Sequence, residues 1–150
     1  MEEKLDKKLT DFINAVYQNT QTAIKSIEDI LNINKDEKFL AELLREKEGY
    51  LKIKNKVIEY SNSIGYFPDD NSWLEKARLY TSIKMTTIFD KSLRHLTEMM
   101  LLGTVMGTLT CYKDLTDYKD VDNKMYAILT ELIAFEEECF NNLKGFLKVD

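Results

Sequence analysis

Apolar residues recur every three or four positions through most of this chain, the period of amphipathic helices rather than strands. The first run covers residues 2–31, with Leu5, Leu9, Phe12, Ile13, Val16 and Tyr17 opening its stripe and Thr20 interrupting it. The second covers 36–64, from Phe39 to Ile64, with Asn34 and Glu37 spaced as a capping box. Lys47 and Lys54 fall on that same face, where long stems lie along an apolar groove and keep their charge wet. Gly65-Tyr66-Phe67-Pro68-Asp69-Asp70-Asn71 is the clearest break. Ser72-Trp73-Leu74-Glu75 then reads as a capping box that opens a third helix, continuing to Leu115. The fourth covers 121–147, capped by Asp120 or Asp122, with Glu136 inside its apolar stripe.

These runs predict an all-α protein, an up-down-up-down four-helix bundle with a long, kinked third helix, in one domain over residues 1–150. Three short connections make consecutive helices antiparallel neighbours. The third helix would be about 65 Å long and its partners about 45 Å. A straight rod of that length leaves apolar surface bare, so the helix either bends or is covered by a second copy. Thr86-Thr87, Gly103 and Gly107 are the expected kink points.

The stretch Asp90–Gly107, DKSLRHLTEMMLLGTVMG, carries the single histidine of the chain. On a helical wheel His95 shares a face with Met99, Leu102, Met106 and Leu109, so it is expected to point inward. Glu98 is three residues on and neighbours it. Counting residues back from the turns brings Glu136 to the level of Leu102. His95, Glu98 and Glu136 are therefore the candidate ligands of a divalent metal ion or small molecule. The plainer alternative is a core histidine satisfied by one hydrogen bond.

Composition narrows the classes. A net charge of −5 argues against nucleic-acid binding. The uncharged run Met99–Tyr112 is fourteen residues, shorter than a membrane span. Cys111 and Cys139 make no disulfide framework and no CxxC. With no signal-peptide core in MEEKLDKKLTDF, a cytoplasmic protein is expected. No phosphate loop, dinucleotide fingerprint or nucleophile elbow is present. Ser92, His95 and Asp90 do not form a triad, because Asp90 lies on the opposite helix face. Carboxylate-bridged di-iron bundles draw Glu-x-x-His from two helices. This chain has none, so a ferritin-like reading extends to architecture alone, without the long crossover of ferritin.

The D-K-S start, the H-x-x-E-M and the glycine pair of Asp90–Gly107 resemble a stretch of small bacterial helical-bundle proteins. The resemblance covers the C-terminal half and implies no activity. The expected role is a non-enzymatic bundle that self-associates as a homodimer or binds a partner helix, with no cofactor. Met85, Met99, Met100 and Met106 suit adaptable apolar contacts.

Overall fold

The computed structural model describes residues 5–69 and 90–147. Among these, every regular element is helical: α1 (Lys7–Ile30), α2 (Glu37–Ser63), α3 (Leu93–Asp117) and α4 (Asn123–Lys144), followed by a 3-10 turn, Gly145–Leu147. The predicted capping box at Ser72, the Thr86-Thr87 kink and Met85 lie outside the described residues.

Each helix begins at a side-chain cap. Asp6, Asp36, Ser92 and Asp122 accept from the backbone N–H of Lys8, Phe39, His95 and Met125. For α2 the cap is Asp36, not the expected Asn34. The Asn34 side chain instead accepts from Asp36 N–H at 2.9 Å and donates to the Lys91 carbonyl at 3.1 Å.

The bundle has four helices, as expected, but their directions differ from the alternating order. Lys47 pairs with Glu28 and Lys54 lies over the Tyr17 ring, so α2 runs antiparallel to α1. Lys91 meets Asn34, Asn19 meets Gly107 and Cys111, and Phe12 stacks on Tyr118. α3 is therefore also antiparallel to α1, and parallel to α2. Tyr60 bonds Asp122, Lys56 bonds Glu131 and Arg45 bonds Glu138, so α4 runs back against α2. The order is up-down-down-up. The connection between α2 and α3 is a long crossover, with Asp69 against Asn14 and Gln18 at one end and Lys91 against Asn34 at the other.

The expected helix of over forty residues is not one helix. Asp90 accepts from Ser92 N–H at 2.9 Å, and Ser92 is extended, with ψ 150°, as it caps α3. Asp90-Lys91-Ser92 is thus a helix start. Through Gly103 and Gly107 the helix is continuous.

Packing order around the bundle is α1, α2, α4, α3. Phe12, Ile13, Ile27, Phe39, Leu43, Leu96, Leu129 and Leu132 are fully buried between them. α3 is turned relative to the wheel that put His95 inward: Leu96, Thr97, Met100, Leu101, Thr104 and Cys111 face the core. The inner threonines pass as apolar because their hydroxyls donate to their own helix, Thr97 to Leu93 O at 2.7 Å and Thr104 to Met100 O at 2.8 Å.

Candidate functional site

Two features stand out from an ordinary helical core: a polar cluster at the centre of the bundle, and an apolar strip left outside on α3.

The central cluster takes side chains from all four helices. From α1 comes Asn19, which donates through Nδ2 to the Gly107 carbonyl at 3.1 Å and to Cys111 Sγ at 3.2 Å. From α4 comes Glu136, 1% exposed. Its Oε2 lies 3.1 Å from Thr108 Oγ1 and 3.9 Å from Cys111 Sγ, both on α3. Gly107 makes the room: a Cβ there would stand 3.1 and 3.3 Å from the two carboxyl oxygens. Burial pushes Glu136 up to about 8, against the opposing pull of Thr108 and Cys111.

α2 contributes Glu46 and Tyr50. Glu46 is fully buried; its oxygens stand beside the Glu42 carboxylate and the Cys139 thiol, with no well-aligned donor among the described residues. Burial, and then the neighbouring Glu42 carboxylate, push it up to about 10. Arg45 is engaged elsewhere, with Glu42 at 2.9 Å and Glu138 at 3.3 Å. Tyr50 is raised by burial and next by the charge of Glu136. Both thiols are buried and raised, first by burial and then by the nearest acid: Glu136 for Cys111, Glu46 for Cys139. Further along α3, burial and Asp117 push Asp114 up to about 7.

Beside the cluster, Phe135 seals α2 against α4. A Cβ on Gly49 would stand 2.1 Å from the end of its ring. The ring meets Tyr50 edge-on, with centroids 4.9 Å apart, and Arg45 lies over its face at 5.7 Å.

The residues proposed from the sequence as ligands are not brought together. Glu136 is central. His95 is half-buried in the first turn of α3, within electrostatic reach of Asp90. Glu98 is exposed and bonds Arg94 at 3.2 Å. Gly107 is twelve residues beyond His95 on an unbroken helix, so Glu136 sits about 18 Å further along the axis. Among the described residues no three ligand-type side chains converge. Sequence reasoning missed Asn19, Glu46 and Asp114. The signal for Glu46 was present: Phe39, Leu43, Glu46, Tyr50, Ile53, Val57 and Ser61 form one unbroken three-four stripe.

The second feature is outside. Leu102, Val105, Met106 and Leu109 are exposed at 63%, 48%, 39% and 56%, with Tyr112 continuing the line. Their spacing is that of a single helix face. Val105, Thr108 and Leu109 also line a groove with Glu137, Phe140 and Asn141 of α4.

With the crossover and this helix order in place, the architecture can be compared with solved structures. The fold is that of ferritin-like four-helix bundles. A mutant of Dps1 from Mycobacterium smegmatis superposes with a TM-score of 0.81 over 97% of this chain and 100% of its own, at 12% identity. A dodecameric thioferritin, the bacterioferritin-related protein from Bacteroides fragilis, gives 0.75 over 96% and 87%, at 19% identity. DpsC from Streptomyces coelicolor gives 0.75 over 95% and 85%, at 11% identity. No family model and no curated protein matches the sequence. Such identities carry the fold and not the chemistry.

The ferritin-like architecture can hold two metal ions between inward carboxylates and two Glu-x-x-His pairs. Here the inward carboxylates on α2 and α4 are Glu46 and Glu136, and the residues three further on are Gly49 and Cys139. The ring of Phe135 occupies the space a side chain at 49 would need. Level with Glu136, α1 and α3 supply an amide, a hydroxyl and a thiol, and the buried carboxyl of α3, Asp114, lies seven residues beyond Gly107. The donor set does not fit a di-metal centre. Among the described residues no helix is long and apolar enough to cross a membrane.

Proposed function

We propose that this chain is a non-enzymatic, self-associating bundle, whose second copy docks on the outer face of α3. The observation that carries this is the strip Leu102, Val105, Met106, Leu109. It sits on a helix whose opposite face is already committed to the core, and it stays exposed beside the other described helices. A contiguous apolar face of this kind is costly to leave in water and is the common mark of an interface. The spacing suits knobs-into-holes packing against an identical strip, which makes a two-fold dimer the smallest closed assembly. The length mismatch expected for a forty-residue helix plays no part, because Ser92 starts α3 afresh. The dodecameric thioferritin is one protein of this architecture that assembles from copies of itself. Two buried thiols and no disulfide among the described residues suit a reducing compartment such as the cytoplasm.

Sedimentation velocity on the untagged chain tests this. A dimer or larger closed assembly is expected at micromolar concentration, and Leu102→Lys with Leu109→Lys should return it to monomer with helical content intact. A wild-type monomer at all concentrations would overturn the proposal, as would an assembly that the double variant leaves unchanged.

A further inference from the structure

We infer that the centre of this bundle is a metal-free, proton-holding core, in which Glu136 is a hydrogen-bond donor within a one-way chain running from Asn19 to the Thr104 carbonyl.

Asn19 spends its two amide hydrogens on the Gly107 carbonyl and on Cys111 Sγ, so the sulfur accepts. The single thiol hydrogen is then free to point to Glu136 Oε2, 3.9 Å away. Thr108 also has one hydrogen for two contacts, the Thr104 carbonyl at 2.8 Å and Glu136 Oε2 at 3.1 Å. While it donates to the carbonyl, the same hydroxyl can accept at 3.1 Å from a hydrogen on Glu136 Oε2, which is the arrangement a neutral acid completes. Every donor in the series is used once: amide to thiol, thiol to carboxyl, carboxyl to hydroxyl, hydroxyl to carbonyl. Only uncharged groups, Thr108 and Cys111, bond to Glu136 among the described residues, so an ionised carboxylate would be buried there without a counterion.

The α2 side agrees with this. Glu46 is fully buried beside the Glu42 carboxylate and the Cys139 thiol, and the nearby cation, Arg45, is held by Glu42 and Glu138. A charge there would be buried against the Glu42 carboxylate with Arg45 already committed, which is far more costly than a neutral acid. Among the described residues, the remaining groups facing the two acids are Tyr50 from α2 and the thiols of Cys111 and Cys139, none of which is cationic. A metal would need at least one further ligand. The i+3 positions offer a glycine, closed off by Phe135, and a cysteine, and the lone histidine of the chain is about 18 Å away.

Infrared spectroscopy in D2O at pH 6 tests the proton directly. The wild type should show a carboxylic-acid carbonyl band that loses intensity in Glu136→Gln. Thr108→Val, which removes the acceptor and keeps the acid, should move the band to higher frequency. Anaerobic titration with Fe(II), and separately with Zn(II), should give the same binding isotherm for wild type and for the Glu46→Gln, Glu136→Gln double variant. If Glu136→Gln does not fold, the wild-type band and its shift in Thr108→Val decide. An absent acid band, a band indifferent to both substitutions, or a stoichiometric metal lost in the double variant would overturn the inference.

Discussion

Phe135 of α4 packs the end of its ring onto the bare Cα of Gly49 on α2, so closely that the first carbon of any side chain there would sit 2.1 Å from the ring. Tyr50 and Arg45 brace the same ring from its edge and its face. Glycine in the middle of a helix costs about 1 kcal/mol against alanine, and this contact is what offsets it. Gly49→Ala should therefore destabilise the bundle, by about 1–3 kcal/mol as an overpacked core does, despite the better helix former. Urea unfolding gives the value. Phe135→Leu in the same chain should recover part of the loss, since a smaller side chain leaves room for the new methyl; no recovery would place the cost elsewhere.

Three buried carboxyls set the pH dependence. Glu136 is held at about 8, Glu46 at about 10 and Asp114 at about 7, each raised first by burial. The folded chain thus keeps protons that the unfolded chain releases above its ordinary carboxyl range. Between those limits the folded state binds more protons, so stability falls as pH rises. The contribution is complete below the ordinary carboxyl value, near 4.5 for glutamate, and is lost progressively towards pH 8 to 10. Urea midpoints should decline from pH 5.5 to pH 9, and Glu136→Gln should flatten the decline. A midpoint that rises over that interval would contradict the assignment.

The helix stripes of α1 and α4, Glu136 included, were legible because one face of each is apolar and the other charged. α3 defeated the same reading. It is uncharged nearly all round from Met99 to Tyr112, and its inner threonines satisfy their own hydroxyls, so periodicity had two faces to choose from. The face of Leu102, Met106 and Leu109, the more apolar of the two, lies outside. On α2 the exposed Leu44 and Leu51 add apolar residues off the buried stripe and blur the face that holds Glu46. The crossover was hidden by Ser72, whose good capping pattern suggested an immediate return. Asp90 and Ser92 carried the signal for the true start of α3.

Cys111 and Cys139 should be silent towards a thiol reagent in the native protein. Both are fully buried and both are raised by burial first, so the reactive thiolate is scarce and out of reach. With 5,5′-dithiobis(2-nitrobenzoic acid) at pH 8, neither should react on the timescale of free cysteine, and two equivalents should appear on adding denaturant. A native equivalent reacting at the free-thiol rate would show that the centre opens to solvent.

Asp122 does two things at once. Its Oδ2 accepts from Met125 N–H at 2.9 Å and caps α4, while its Oδ1 accepts from the Tyr60 hydroxyl at 2.7 Å and ties that cap to α2. Tyr60 is raised to about 12, by burial first and then by the bond to Asp122 and its charge. Asp122→Ala removes both bonds and should cost about 1–3 kcal/mol, a cap and a hydrogen bond together. It should also bring the Tyr60 titration down towards the usual tyrosine range, read from phenolate absorbance as base is added. Asp122→Asn separates the roles: the amide oxygen still caps α4, so most of the stability should remain, while loss of the charge lets Tyr60 ionise earlier. If Asp122→Asn costs as much as Asp122→Ala, the stability comes from the charge, and the cap is incidental.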